Sequence, residues 1–367
     1  MSLAAQPALA LPSQLEGLAA RQPQLVPAGT FPRLRALLWS GTALYASRGY
    51  ELLRAWPTLE NFQWEHVAPV SPSPWRTLSS SHRLTARLCR DGFHALAQLP
   101  SGDLVGAIPN AILHKPPGAP EFTVTHRIRR GTRPLHITAT PDGHVFWGEY
   151  FDNLQRDEVH IFGSRDGGRT WHVVYTFPGG AIRHVHNIVF DEFDRGLWIL
   201  TGDDGGECKI LRASTDFKAV DVVLQGNQQV RAVGLVPMRD AVYFATDTPL
   251  EINRIYRLDR RSGNMEALAS IPSSSIEGCR VGHAIFFSTM AEPSLMNRQD
   301  SVHLYGSSNG LEWHGLKHWR KDRWSMRFFQ YGNAFLPTGQ NDTGLLAIST
   351  IAVAPGDFET TLWKVIP

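Results

Sequence analysis

The fold is decided by residues 135–177, which read LHITATPDGHVFWGEYFDNLQRDEVHIFGSRDGGRTWHVVYTF. Four short apolar segments stand out in this stretch, at Leu135–Thr140, Val145–Tyr150, Glu158–Gly163 and Trp171–Phe177. Each segment is bounded by Gly, Pro, Asp or Asn residues, which is typical of strands joined by turns. Pro141-Asp142-Gly143 supplies the tight turn between the first two segments. The stretch therefore predicts a unit of four short antiparallel strands.

The same plan recurs along the chain at intervals of about 45 residues. Seven such units fit, and their bounds or starting residues are Arg33–Val70, Ala86–Ile128, Leu135, Val185, Val230, Ile276 and Phe328–Val365. The first two units are less regular than the others, and the last is one strand short. Seven four-stranded units with almost no helical periodicity predict an all-β fold, a β-propeller, with six blades as the alternative count.

A propeller is one cooperative domain, because each blade has apolar faces that only its neighbours can cover. We therefore expect a single domain over residues 31–367. Residues 1–30 form an N-terminal extension, and a strand near Gln22–Ala28 is a candidate to complete the last blade and close the ring. Two packed sandwich domains would need a linker, and none is evident.

A short motif at the turn before the fourth strand supports this interpretation. Residues 164–171 read Ser-Arg-Asp-Gly-Gly-Arg-Thr-Trp, and a degenerate copy occupies Ser307–Trp313. A fainter copy stands at Ser214-Thr215-Asp216. Ser and Asp side chains satisfy the backbone of such a turn, Gly adopts positive φ, and Trp packs between sheets. We therefore expect Asp166 to be structural and not a catalytic acid.

These residues match the pattern S-x-D-x-G-x-T-W, so the chain resembles the Asp-box (BNR-repeat) propellers of the sialidase-like superfamily. That resemblance implies the propeller fold, with the motif between the third and fourth strands of a blade. It does not extend to the sialidase mechanism, because no Tyr–Glu nucleophile pair can be placed and Phe31-Pro32-Arg33-Leu34 only loosely matches the sialidase F-R-I-P sequence. One fold hosts unrelated activities, so the motif does not identify a substrate.

Composition excludes several classes of function. With 36 basic and 34 acidic residues, the formal net charge of +2 gives no field for nucleic acid or an anionic membrane. Three scattered cysteines, Cys89, Cys208 and Cys279, form neither a disulfide framework nor a zinc motif. The N-terminus lacks the charge and apolar run of a signal peptide, so a cytoplasmic location is expected. The oligomeric state stays open.

Propeller geometry predicts where a binding site lies. The starts of the innermost strands and the ends of the second strands meet on one face, around a central funnel. Four second strands end in an acid, and the innermost strands begin with His, Arg or Tyr. The acids are Glu149, Asp203, Asp247 and Glu292, and the residues at the innermost strands are Arg133, His136, Arg183, His184, His186, Arg231, Arg327 and Tyr331. We expect these side chains to converge in the funnel, either around a ligand or as ion pairs across blades.

Three chemistries fit this set. Glycoside hydrolysis would use Glu149 with Asp203 or Asp247 as its two carboxylates, with Arg183 or Arg231 holding an anionic sugar. Elimination on an acidic sugar would use His136 or His186 as base, or a divalent ion held by these histidines with Glu149 or Asp203. The third possibility is binding without chemistry. No spaced metal-ligand motif occurs, so no cofactor or metal is predicted, although a divalent ion stays open.

The leading hypothesis is a carbohydrate-active propeller, hydrolase or lyase. Glu149, Asp203, Asp247, His136 and His186 are its candidate catalytic residues, and its candidate substrate contacts are Arg183, Arg231, Glu292, Arg327 and Tyr331. A content of 11 Trp favours a glycan over a nucleotide, and no phosphate-binding glycine loop or nucleophile elbow appears. The alternative is a non-catalytic propeller that binds a protein or glycan partner through long loops such as Glu292–Asp300.

Overall fold

The computed structural model describes residues 22–57 and 63–366. Within these residues, short antiparallel strands follow one another along the chain. The first half contains β1 (Gln24–Pro32), β2 (Arg35–Gly41), β3 (Ala43–Arg48), β4 (Glu51–Ala55), β5 (Glu65–Pro69), β6 (Ala95–Gln98), β7 (Leu104–Ile108), β8 (Ala111–Lys115), β9 (Thr123–Arg127), β10 (Thr138–Ala139), β11 (Val145–Gly148), β12 (Val159–Ser164) and β13 (His172–Phe177).

The second half repeats this pattern with longer strands. They are β14 (His184–Asp191), β15 (Gly196–Gly202), β16 (Lys209–Ala213), β17 (Val220–Gln225), β18 (Ala232–Pro237), β19 (Ala241–Thr246), β20 (Asn253–Asp259), β21 (Met265–Ile271), β22 (Ser275–Val281), β23 (Ala284–Ala291), β24 (Ser301–Ser307), β25 (His314–Lys321), β26 (Gly332–Phe335), β27 (Thr338–Asn341), β28 (Leu345–Ile351), β29 (Val353–Ala354) and β30 (Glu359–Ile366).

Hydrogen bonding groups these strands into six sheets that contain seven four-stranded units. Blades 1 to 6 are β2–β5, β6–β9, β10–β13, β14–β17, β18–β21 and β22–β25, and blade 7 is β26-β28-β30-β1. A short pairing of β23 with β26 joins blades 6 and 7 into one nine-stranded sheet. The arrangement is that of a β-propeller, so the all-β propeller prediction is confirmed.

The outermost strand of blade 7 comes from the other end of the chain. β1 pairs antiparallel with β30 from Gln24↔Ile366 to Pro32↔Glu359. In addition, β27 extends blade 1 by pairing in parallel with β2, from Leu38↔Thr338 to Gly41↔Asn341. Two separate pairings therefore join the first and last parts of the described chain. Residues 1–21 of the expected N-terminal extension lie outside the described residues.

The connection into blade 2 contains two helices that the strand pattern did not predict. α1 spans Pro74–Ser80 and α2 spans Arg83–Cys89, while the short α3 (Met326–Phe329) replaces the strand expected at Phe328. Pro74 begins α1, and the His82 side chain caps α2. No helix within the described residues is long and apolar enough to cross a membrane.

The apolar core lies in the middle strands of each blade and between neighbouring blades. Every residue of β15, β19 and β23 is buried. Phe146 of blade 3 packs with Leu211 of blade 4 in one cluster, as expected for sheets that cover each other's faces.

The register of blade 3 shows which residues lie at its two ends: Val145 at the start of β11 pairs with Ser164, and Gly148 at the end of β11 pairs with Ile161. The turn at Ser164 and the end of β11 therefore lie on opposite faces of the ring.

Candidate functional site

The candidate site lies on the funnel face, which we define by the starts of the innermost strands and the ends of the second strands. His184 begins β14, and Asp203 directly follows β15. A β-bulge in β14 leaves His186 as the extra residue between the pairs Val185↔Thr201 and Asn187↔Leu200. Bulges redirect side chains and are frequent beside active sites. Here the bulge brings His184 and His186 to the same carboxylate.

Five side chains form the Asp203 cluster: Asp203, Arg183, His184, His186 and Arg231. The Asp203 carboxylate lies 3.0 Å from Arg183 Nη1 and 3.0 Å from Arg231 Nη2. Its oxygens lie 3.5 Å from His184 Nε2 and 3.3 Å from His186 Nε2. Burial opposes ionisation of Asp203, but the histidines and Arg231 outweigh it and hold the pKa of this carboxyl well below its usual range. Asp203 is therefore ionised.

The funnel continues from this cluster toward blades 5 to 7. Arg231 Nη2 lies 3.3 Å from Asp247 Oδ2, and burial raises the pKa of Asp247. Burial and the charge of Asp247 raise the pKa of Glu292 to about 7, although Arg231 partly offsets them. Tyr331 is close enough to Glu292 for that carboxylate to contribute to its raised pKa, after burial. Ion pairs and electrostatic contacts thus link seven of the predicted residues into one group: Asp203, Asp247, His186, Arg183, Arg231, Glu292 and Tyr331.

Glu149 is held away from this surface. Its carboxylate accepts hydrogen bonds from Arg130, with Nε at 2.9 Å, and from the backbone N–H of His160 at 2.9 Å. Only its carbonyl contacts the next blade, where it accepts from the N–H of Val185 at 3.0 Å. The side chain is 6 % exposed. The carboxylate therefore joins the segment before blade 3 to β12 of that blade, and with three donors and so little exposure it is poorly placed to reach a ligand.

His136 lies deeper, in the wall of a small central cavity. This cavity is lined by Arg35, His94, His136, Glu277 and apolar residues of the innermost strands. Burial and the charge of Arg35 lower the pKa of His136 to about 4. His136 is therefore neutral at pH 7 and a weak base. It lies outside the Asp203 cluster, so the structure does not bring it together with His186 around one carboxylate.

Three arginines form a second feature of the funnel, which we call the arginine wall; the sequence placed Arg133 at the start of an innermost strand but did not select Arg35 or Arg90. The wall consists of Arg35, Arg90 and Arg133 around the half-buried His94. Burial and repulsion by Arg90 and Arg35 lower the pKa of Arg133 to about 10, and burial lowers that of Arg35 to about 10. Across the described residues, none of the three has an ion pair with a carboxylate within 4.0 Å.

The remaining predicted contact, Arg327, is exposed on α3, where its guanidinium lies 5.7 Å from the ring of Phe328. His184, which the sequence placed among the innermost-strand residues without a catalytic role, belongs to the Asp203 cluster. Tyr150 was not selected, and its ring lies 4.3 Å from the ring of His184. Tyr150 directly follows Glu149, so this adjacency was the available signal.

The motif at residues 164–171 closes a turn on the opposite face. Asp166 Oδ1 accepts from the Ser164 hydroxyl at 2.7 Å and from the N–H groups of Arg169 and Thr170, each at 3.0 Å. The N–H of Gly168 donates to Ser164 Oγ at 2.9 Å. These contacts use the carboxylate of Asp166 within its own turn, far from the funnel.

Comparisons with known proteins agree with the propeller architecture. No family model and no curated protein matches the sequence. A chain from a crystal structure of the mitotic checkpoint complex matches with a TM-score of 0.57 and 10% identity, covering 95% of this chain and 98% of that one. A Niastella koreensis GH74 enzyme matches with a TM-score of 0.51 and 16% identity, covering 79% of this chain and 46% of its own.

A third match comes from a study of two prolyl endopeptidases. Its TM-score is 0.54 at 12% identity, and it covers 91% of this chain and 50% of the other. The likeness is one of fold. At such identities, an assembly subunit, a glycoside hydrolase and a peptidase share the architecture without sharing a site.

Proposed function

We propose that the funnel binds an acidic glycan and that the protein cleaves it, as a glycoside hydrolase or a polysaccharide lyase. The observation that carries this proposal is the arginine wall. Arg35 and Arg133 are half-buried, whereas Arg90 is exposed. Half-buried guanidiniums that lack a carboxylate partner are costly, and a bound anion would compensate their charge. Arg binds carboxylates in a bidentate geometry, so a uronate or another acidic sugar is the ligand class that fits best.

Glu292 is the acid in the funnel that is suited to proton transfer. With a pKa of about 7, Glu292 is protonated in a large fraction of molecules near neutral pH, whereas Asp203 is ionised. Carboxyl groups held in opposite protonation states are the usual arrangement of an acid with an electrostatic stabiliser. In hydrolysis, Glu292 would donate its proton to the departing sugar oxygen, and Asp203 would stabilise positive charge that develops on the ring carbon. A water would then add to that carbon and return a proton to Glu292.

The charge of the arginine wall distinguishes this proposal from the alternative in which the funnel residues only pair with one another across blades. The wall consists of three positive side chains, and its nearest acid is Glu277, whose pKa burial raises to about 8. Glu277 is therefore mostly protonated at pH 7 and does not neutralise Arg35. A channel built only for pairing across blades would place ionised carboxylates opposite these arginines.

The test uses acidic and neutral oligosaccharides of matched length. We expect binding and turnover of an acidic member, with Arg133→Gln weakening binding about 10-fold or more, as for a lost charge-assisted contact. Arg261→Gln, on an exposed turn at the opposite face, is the matched control. An unsaturated product that absorbs in the ultraviolet identifies a lyase, and a new reducing end without it identifies a hydrolase.

Three outcomes would contradict the proposal. Equal affinity for acidic and neutral oligosaccharides would remove the role of the arginine wall. An unchanged affinity in Arg133→Gln would do the same. Tight binding with no product over the whole panel would discard catalysis and favour a propeller that only binds its ligand.

A further inference from the structure

The proposed cleavage uses the carboxylate of Asp203 but neither of the two histidines beside it. We infer that His184 Nε2, His186 Nε2 and the Asp203 carboxylate bind one divalent first-row transition-metal ion. Their ligand atoms lie within 4.8 Å of one another, and all three residues are buried.

Backbone carbonyls fix both tautomers. His184 Nδ1 lies 3.0 Å from the carbonyl oxygen of Phe151, and His186 Nδ1 lies 2.9 Å from that of Ala232. A carbonyl oxygen only accepts, so each Nδ1 carries the hydrogen and donates it. Each Nε2 of a neutral ring is then left with a lone pair. This second contact, Nδ1–H to a carbonyl, is the one that orients metal-binding histidines in proteins.

The distances match those between the ligands of a bound ion. His184 Nε2 and His186 Nε2 are 3.1 Å apart. The carboxylate oxygens of Asp203 lie 3.3 Å from His186 Nε2 and 3.5 Å from His184 Nε2. A tetrahedral ion with metal–nitrogen bonds of about 2.0–2.1 Å holds its ligand atoms about 3.3–3.4 Å apart. The three separations therefore match those between neighbouring ligand atoms of one ion, and the two that involve Asp203 reach its two different oxygens.

The charged groups around the cluster carry an excess of negative charge that a cation would balance. Arg183 pairs with Asp152 as well as with Asp203, and Arg231 pairs with Asp247 as well as with Asp203. Three carboxylates thus face two guanidiniums, which leaves one negative charge in excess. Both arginines act as hydrogen-bonding partners of a metal-binding carboxylate and hold its oxygens in place.

The donor set selects the class of ion. Two imidazoles and one carboxylate suit Zn²⁺, Mn²⁺, Fe²⁺ or Co²⁺, whereas Mg²⁺ and Ca²⁺ prefer oxygen ligands only. Three protein ligands leave at least one position open for water or a ligand, as in catalytic rather than structural sites. Gly202 lies beside the cluster, where a Cβ would stand 3.0 Å from the ring of His186, so the absence of a side chain lets this ring lie where it does.

The experiment measures metal rather than activity, so its failure is distinct from a failure of the proposed cleavage. The full chain is stripped with a chelator and titrated with Co²⁺ and Zn²⁺, with visible absorption, calorimetry and elemental analysis as readouts. We expect one equivalent per chain, and the Co²⁺ absorption bands of a site with nitrogen and oxygen ligands.

Two substitutions test the ligands while keeping their outer contacts. His184→Asn and His186→Asn retain an amide N–H for the carbonyl of Phe151 or Ala232 but remove Nε2. Loss of an outer partner lowers metal affinity about 10–100-fold, so we expect loss of a ligand to lower it by at least about 100-fold. His160→Gln, on β12 of the neighbouring blade, is the matched control and should bind metal as the unchanged chain does.

Two results would overturn the inference. The first is less than one tenth of an equivalent of either ion on the unchanged, folded chain, in which case a shared proton occupies the space between the rings. The second is binding of equal affinity in the His160→Gln control and in both Asn variants, which places the ion elsewhere. Because the first result is obtained on the unchanged chain, a variant that fails to fold does not leave the question open.

Discussion

Glu277 shows how one buried carboxyl can keep the central cavity positive. Burial raises its pKa from 4.5 to about 8, and Arg35 only partly opposes that shift. Between those two pH values the folded chain holds a proton that the unfolded chain has released. The free energy of unfolding therefore contains a contribution that is complete below pH 4.5 and is lost as the pH rises toward 8, by at most about 1.4 kcal/mol per pH unit.

Glu277→Gln should remove this dependence, because a neutral amide has no proton to lose. We expect the variant to gain about 2 kcal/mol relative to the unchanged chain between pH 6 and pH 8. Urea denaturation at several pH values measures the difference, and Glu266→Gln, which is exposed on β21, is the control. Parallel stability curves for Glu277→Gln and the unchanged chain would show that Glu277 is already ionised at pH 6.

Glu292 should set the pH dependence of turnover if it is the proton donor. An acid with a pKa of about 7 is active while protonated, so kcat/KM should be constant at low pH and should fall about tenfold per pH unit above pH 7. Glu292→Gln should lose this descending limb together with most of the activity, while Asp300→Asn, an exposed residue of the same loop, should keep both. A profile whose descending limb survives in Glu292→Gln would assign the limb to another group.

At the level of strands, the sequence predicted where the site lies better than which side chains form it. The ends of β15, β19 and β23 and the start of β14 were located from the repeat, and their acids, His and Arg do meet on one face. A one-residue shift of register reverses which side chains face inward. The bulge at His186 introduces such a shift without a sequence signal, so the sequence selected His186 but not His184, which contacts the same carboxylate.

Contacts between distant loops could not be predicted from the sequence either. Arg130, which occupies the carboxylate of Glu149, comes from the segment after β9, and no periodicity links the two residues. The arginine wall combines β2, the C-terminus of α2 and the segment before β10. Such convergence depends on how blades 1 to 3 pack together, and a repeat pattern along the chain does not specify it.

The bulge at His186 makes Gly202 sensitive to substitution. A Cβ there would lie 3.0 Å from His186 Cε1 and 3.3 Å from Arg231 Cγ. Gly202→Ala should therefore push the ring of His186 away, destabilise the protein by about 1–3 kcal/mol and weaken metal binding. Gly206→Ala, where the nearest atom would be Gln225 Nε2 at 3.6 Å, is the control. Thermal denaturation and Co²⁺ titration measure both effects, and equal results for the two variants would show that the ring of His186 has room to move.

For the whole ring, stability depends on the pairing that joins its two ends. β1 supplies the outermost strand of blade 7, and Leu25 packs there against a core cluster that includes Leu346 and Val365. On the opposite face of the same strand, Val26 is 43 % exposed. Since each blade covers its neighbours, loss of packing at this closure should lower the stability of the entire ring rather than loosen one strand.

Leu25→Ala should therefore lower the free energy of unfolding by about 1–2 kcal/mol, below the range for a fully buried leucine because Leu25 is only partly buried. Val26→Ala, with its side chain directed to solvent, should change it by less than about 0.5 kcal/mol. Urea denaturation followed by far-UV circular dichroism and by tryptophan fluorescence tests both points, since coincident transitions indicate unfolding of the ring as one unit. If Leu25→Ala instead produced an early transition in one signal only, β1 would detach from β30 while the other blades stayed folded, and the pairing would not contribute to the stability of the ring.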